Sequence, residues 1–137
     1  MSELNIAATI ENLNDVMTFV TSILEEMSCP VKEQMTIEIA VEEMFVNVAH
    51  YAYTTKTGMV RIKCLPLDNN KAVEISFEDE GIPFDPLAKE DPDTTLSAEE
   101  RPIGGLGIYM VKKSMDNVYY EYKDGKNFFR MRKNISS

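Results

Sequence analysis

Val60-Arg61-Ile62-Lys63-Cys64 and Val73-Glu74-Ile75-Ser76-Phe77 both alternate apolar and polar side chains, and Asp68-Asn69-Asn70 stands between them. Such alternation sends every second side chain to one face of a strand, and a short Asp/Asn connection is turn chemistry. The stretch therefore predicts an antiparallel hairpin with one buried and one wet face. It sets the type of sheet that the flanking segments must complete.

Toward the N-terminus, Leu4, Ile6, Ala8 and Ile10 share one side, as in a strand with one buried face. Asn12 stands where a helix N-cap belongs, with Asp15 in the first turn. Leu13, Val16, Val20, Ile23, Leu24 and Met27 then keep helical spacing until Pro30. A longer helical pattern runs from about Val31 to Tyr53, apolar nearly all round, which predicts a largely buried helix. Toward the C-terminus, residues 79–104 carry prolines, glycines and acids without a period, the character of a functional loop or lid. Helical spacing returns at Ile108, Val111, Lys112 and Met115. Val118 to Lys123, Asp124-Gly125 and Asn127 to Lys133 read as a closing hairpin, Asp-Gly being a strong turn signal. Strands and helices do not alternate regularly in this order. The pattern fits an α+β fold, a two-layer α/β sandwich whose mostly antiparallel mixed sheet carries its helices on one face.

At 137 residues the chain is sized for a single domain, 1–137. No run approaches the roughly 18 apolar residues of a membrane span, and Met1-Ser2-Glu3-Leu4 lacks the basic start of a secretory signal. Cys29 and Cys64 are isolated, with no CxxC. Reduced core thiols in a cytoplasmic protein are expected, rather than a disulfide framework or a zinc site. A net charge of −9 argues against direct nucleic-acid binding, which calls for a basic face. No Lys or Arg precedes Lys32, so the N-terminal part presents an acidic surface.

Three short constellations can carry chemistry. Glu43, Asn47 and His50 are spaced by four and three, on one stripe of the long helix. An ionised Glu on a mostly apolar helix needs water, a cation or a donor. Taken alone, the stripe is more readily a helix edge meeting solvent, or Glu43 and Asn47 bonding to neighbouring backbone, and a lone histidine such as His50 is more often structural than catalytic. Asp79, in Glu78-Asp79-Glu80-Gly81, closes a strand, and Gly81 permits close backbone approach or positive φ. A carboxylate there can accept a hydrogen bond from an amine such as that of adenine, and the same pattern also makes an ordinary acidic turn. Gly104-Gly105-Leu106-Gly107 leads into a helix, at a propensity cost of up to ~1 kcal/mol per glycine. Exposed N–H groups at the positive helix end would offset that cost by holding a phosphate; the plain alternative is a hinge. No Gly-Lys-Ser/Thr follows and no strand precedes, which excludes a Walker A loop and a Rossmann fingerprint. Together, a base-reading carboxylate, a phosphate-reading glycine turn and a Glu/Asn pair suit an Mg²⁺-nucleotide. The Asn47 amide oxygen is then a hard metal ligand and Glu43 the general base.

The same residues resemble a known family. Glu42-Glu43-Met44-Phe45-Val46-Asn47-Val48-Ala49-His50-Tyr51-Ala52-Tyr53 is similar to the N box of the ATPases that include DNA gyrase, histidine kinases and MutL. Asp79-Glu80-Gly81 with Phe84-Asp85-Pro86 resembles their first glycine box, and Gly104 to Val111 followed by Met115-Asp116 resembles the second. Within that superfamily the short layout is similar to the bacterial anti-sigma factor serine/threonine kinases, over nearly the whole chain. The resemblance implies the Bergerat-type ATP-binding sandwich with an ATP lid at about 86–104. It implies Glu43 as catalytic base, Asn47 as the Mg²⁺ ligand and Asp79 on the adenine amino group, with Gly81 beside it. Gly105 and Gly107 would bind phosphates, with Gly104, Leu106 and His50 in the nucleotide-contacting set and Arg101 reaching in from the end of the lid. The implied reaction is phosphoryl transfer from ATP to a serine or threonine of a STAS-type anti-sigma-antagonist protein. Sequestration of a sigma factor is the implied second activity, and homodimers are usual in the family. A nucleotide-gated regulatory binding module without significant kinase activity is the alternative. Two departures stand out. Relatives commonly have a threonine near the adenine in the last strand, where this chain is read to have Arg130. Relatives often carry a partner-contacting arginine in the first helix, and Met17 lies near that position.

Overall fold

A computed structural model describes residues 3–53, 58–83, 85 and 105–135. The elements run β1 (Glu3–Ala7), a 3-10 turn (Ile10–Asn12), α1 (Leu13–Glu26), α2 (Val31–Tyr51), β2 (Met59–Leu67) and β3 (Ala72–Asp79). After them come α3 (Gly105–Ser114), β4 (Asn117–Lys123) and β5 (Lys126–Asn134). The strands form one five-stranded sheet in the order β1-β2-β3-β5-β4, so β3 is its central strand. All four pairings in it are antiparallel. The sheet is thus the antiparallel one that the alternation predicts.

Local chemistry explains both hairpins. Asp68, Asn69 and Asn70 all take positive φ (51°, 56° and 66°), the region that Asn and Asp tolerate best among residues with a Cβ. Asp124 and Gly125 also take positive φ (55° and 76°), giving a two-residue turn whose twist matches the strands it joins.

Register turns the alternation into a layer. Val60, Ile62 and Cys64 lie opposite Asp79, Phe77 and Ile75, which lie opposite Asn127, Phe129 and Met131. All nine are buried. Against this face pack Val16, Val20 and Leu24 of α1, Ile37, Val41, Met44 and Phe45 of α2, and Ile108 and Val111 of α3. Each such side chain gains about 1.5–3 kcal/mol by leaving water. The other face is charged. Arg61 pairs with Glu78 at 3.4 Å, Lys126 with Glu78 at 3.8 Å and Arg130 with Glu74 at 3.6 Å. Exposed pairs of this kind contribute about 0–1 kcal/mol each, so the apolar face carries the stability.

Several details differ from expectation. The first strand ends at Ala7, and Ile10 sits in the 3-10 turn, exposed rather than on the buried side. Asn12 holds the N-cap position, yet its side chain donates to the Ala7 carbonyl at 2.9 Å and braces the turn instead of capping the helix. The α2 helix stops at Tyr51 and is not buried all round, because Met35 and Ile39 are each 57% exposed. Among the described elements α1, α3 and the sheet pack against α2, and none of them covers Met35 and Ile39. The expected lid at 86–104 lies outside the described residues. No helix among the described residues is long and apolar enough to cross a membrane.

Candidate functional site

Two polar residues interrupt the apolar layer, Asp79 on β3 and Asn127 on β5, facing each other in register. Asp79 Oδ1 accepts from Asn127 Nδ2 at 2.9 Å and from the Gly81 N–H at 2.8 Å. Burial pushes the Asp79 carboxyl up from its ordinary value, and these two donors draw it partly back. Asn127 Nδ2 also donates to the Ile82 carbonyl at 2.7 Å, and the Tyr120 hydroxyl donates to Asn127 Oδ1. The carboxylate is held, not free to turn.

The loop after β3 is docked onto the end of α2. Ile82 N–H donates to the Ala52 carbonyl at 2.9 Å. A Cβ on Gly81 would stand 2.1 Å from that same oxygen, so close approach, not positive φ, is what requires glycine there. Tyr53 ties the corner further: its hydroxyl accepts from Glu80 N–H and donates to the Met59 carbonyl, both at 2.8 Å. Its ring lies where a side chain at Gly58 would be, 2.1 Å from that position. A cleft of about 380 Å³ opens at this end of the sheet beside Asp79, but Asn5, Arg61, Glu78 and Lys126 in its lining belong to the charged face, away from α2.

On α2, Asn47 is buried and its Nδ2 donates to the Glu43 carbonyl one turn back, at 2.7 Å. That bond leaves Oδ1 pointing away from the helix backbone, buried and without a partner. A buried orphan acceptor costs about 1–3 kcal/mol, so a missing ligand is the natural account of it. Glu43 is half-buried, and His50 is exposed in the last turn, its ring edge-on to Tyr51. No group of three or more His, Cys, Asp or Glu among the described residues could hold a metal by itself. An amide oxygen completed by water and phosphate oxygens suits Mg²⁺, which keeps much of its hydration. The residues present fit that ion.

The glycine run enters α3 as its first turn, since the helix begins at Gly105 and includes Gly107. First-turn N–H groups have no intrahelical partner and point out of the positive end, the arrangement that binds anions. Arg101 and Gly104 lie outside the described residues, as do the side chains of residues 105–107.

A carboxylate at the end of β3, an orphan amide on the neighbouring helix and a glycine-led helix start share one fold. Residues 6–133 match the histidine kinase-like ATPase domain family. The chain belongs to that family. Among curated relatives of this ATPase domain, an anti-sigma F factor from Clostridium acetobutylicum is 27% identical, covering 90% of this chain and 85% of the relative. A serine-protein kinase RsbW from Bacillus cereus is 25% identical, covering 90% and 78%. A solved structure of RsbU and RsbW domains from Mycobacterium tuberculosis superposes with a TM-score of 0.65 at 18% identity. It covers 100% of this chain, which spans only 33% of that one. The histidine kinase domain of a blue-light activated kinase from Erythrobacter litoralis gives 0.56 at 11% identity, covering 90% and 60%. These two likenesses are of fold.

One ATPase-domain expectation is corrected. Arg130 does not lie near Asp79: three residues beyond Asn127, it falls on the opposite face, paired with Glu74 and 4.9 Å from the Tyr119 ring centroid. Asn127 is the residue across from Asp79, and sequence reasoning missed it. The Asp124-Gly125 turn fixes the register of β4 with β5, placing Asn127 opposite Tyr122, but the β3–β5 register that brings it to Asp79 has no such local signal. Met17 is half-buried against the core, so the exposed side of α1 is formed instead by residues such as Asn14, Asp15, Thr18 and Glu25.

Proposed function

We propose that this protein is an ATP-dependent serine/threonine kinase that acts as an anti-sigma factor, working as a single domain over 1–137. The observation that carries the reading is the buried, unpartnered Asn47 Oδ1 one helical turn beyond Glu43. The names of the curated relatives, an anti-sigma F factor and a serine-protein kinase, support the class.

Each residue then has a task. Asp79 accepts the adenine amino group, and Gly81 lets its loop close on α2. Gly105 and Gly107 present backbone N–H groups to the phosphates, with Gly104, Leu106 and Arg101 in the same set and His50 at the rim. Asn47 Oδ1 ligates Mg²⁺, which when bound neutralises phosphate charge. Glu43 takes the proton from the attacking serine or threonine hydroxyl. That hydroxyl oxygen bonds to the γ-phosphorus as the bond to the β–γ bridging oxygen breaks and ADP departs. Phosphoryl transfer needs little more than such positioning and charge stabilisation.

The phosphate acceptor in this reading is a STAS-type anti-sigma-antagonist protein and the sequestered partner a sigma factor, with the kinase a cytoplasmic homodimer. Labelled ATP incubated with the protein and a candidate antagonist tests it. Transfer of label to an antagonist serine or threonine is expected, and its loss in Glu43→Ala. ATP-dependent complex formation without any label transfer would replace the kinase reading by that of a nucleotide-gated binding module.

A further inference from the structure

The orientation of the Asn127 amide is fixed by its neighbours. One end faces Asp79 Oδ1 at 2.9 Å and the Ile82 carbonyl oxygen at 2.7 Å. An ionised carboxylate and a carbonyl can only accept, so that end is the amino group, with both hydrogens engaged. The other end meets the Tyr120 hydroxyl, which donates to it. Tyr120 and Asn127 stand on the two strands of the C-terminal hairpin, and Tyr120 packs against the core. The hairpin thus reaches Asp79 through an amide that cannot flip without losing its bonds.

We propose that Asn127, oriented by Tyr120, is a positioning residue that holds Asp79 for an exocyclic amine and so sets a preference for 6-aminopurine over 6-oxopurine nucleotides. The inference rests on the nucleotide-site reading above. Among the described residues the two hydrogen bonds to the carboxylate fall on Oδ1, from Asn127 and from the Gly81 N–H. Oδ2 therefore keeps its lone pairs for a ligand. An acceptor-only group favours an amino group at the purine 6 position and rejects a carbonyl oxygen there, where both partners would be acceptors. Without Asn127 the carboxylate is held at one point only, can turn, and presents that acceptor less often.

Equilibrium binding of ATP and of inosine triphosphate, which has a carbonyl oxygen in place of the amine, tests the proposal. Wild type is expected to prefer ATP. Asn127→Ala should weaken ATP by about ten-fold or more while changing inosine triphosphate little, the scale of one charge-assisted hydrogen bond. Tyr120→Phe keeps the ring in the core, removes one hydroxyl and should shift the ratio in the same direction by a smaller factor. Asn127→Thr keeps a short donor and should retain part of the preference. Equal losses for the two nucleotides, or an ATP preference unchanged in both Asn127→Ala and Tyr120→Phe, would overturn the role of Asn127 alone. If Asn127→Ala does not fold, the ratio in Tyr120→Phe decides. Wild type binding neither nucleotide would overturn the nucleotide site together with this inference.

Discussion

Gly81 and Ala52 meet backbone to backbone: a Cβ at position 81 would stand 2.1 Å from the Ala52 carbonyl oxygen and 2.6 Å from its carbon. The obstructing atoms belong to the main chain, so no rotamer change relieves the contact. Gly81→Ala must push the loop away from the end of α2 or bend the helix, and overpacking of this kind costs about 1–3 kcal/mol. We expect a lowered melting temperature together with weakened ATP binding, because the shifted loop carries the Gly81 N–H that holds Asp79. A variant that melts with wild type would show the contact to be looser than it looks.

Glu43 and Asn47 are one turn apart and should separate cleanly by calorimetry and transfer assays. Glu43→Ala is expected to bind ATP like wild type and to lose transfer by about 10²–10⁴-fold, the usual contribution of a positioned base. Asn47→Ala is expected to lose the Mg²⁺-dependent part of binding. Wild-type affinity of the Asn47 variant for Mg-ATP would remove it as the metal ligand.

The buried Asp79 carboxyl makes a stability prediction of definite sign. Burial raises it in the folded chain, so the native state binds that proton more readily than the unfolded one. Its contribution to stability therefore falls as pH rises from about 4, the unfolded value, through the folded-state value, and stays low above it. Asp79→Asn abolishes this titration and keeps an acceptor oxygen for Gly81 and Asn127. Melting curves across pH should show the variant gaining on wild type through that window and exceeding it at neutral pH, while ATP binding is lost. Parallel curves would mean that the carboxyl is not penalised by burial.

Cys64 offers a simple check of the core. Burial, with a smaller effect from nearby Cys29, pushes its thiol up to about 12, and the thiolate is the reactive form. A thiol reagent at mildly alkaline pH should leave Cys64 unmodified in the native protein and label it rapidly after denaturation. Rapid native labelling would place β2 nearer solvent than its burial indicates.

The two hairpins were legible because Val60 to Cys64 and Val73 to Phe77 alternate so cleanly and because Asp124-Gly125 is a strong turn signal, whereas the β1–β2 and β3–β5 pairings join strands that no short turn connects. Gly81 was legible as a special position but not in kind, since close approach depends on Ala52, which only the folded chain brings near. The exposure of Met35 and Ile39 on α2 was hidden for a similar reason: apolar periodicity reports which residues can be covered, not whether a neighbour exists to cover them. Asn127 escaped notice because its task is defined by register with a residue 48 positions away. A shift of a few residues along a strand changes the face as well as the neighbour, which is how Arg130 came to be expected beside the base.

The central place of β3 has a consequence for how the site can fail. Asp79 ends a strand bonded on both sides, by β2 and by β5, whereas β1 and β4 form the sheet's borders. Border strands can fray in partial openings, but the middle strand parts from both neighbours only when the whole sheet comes undone. Amide hydrogen exchange along β3 should then run at the slow global limit, with β1 and β4 exchanging sooner. The buried Asp79 carboxylate would share the lifetime of the fold itself.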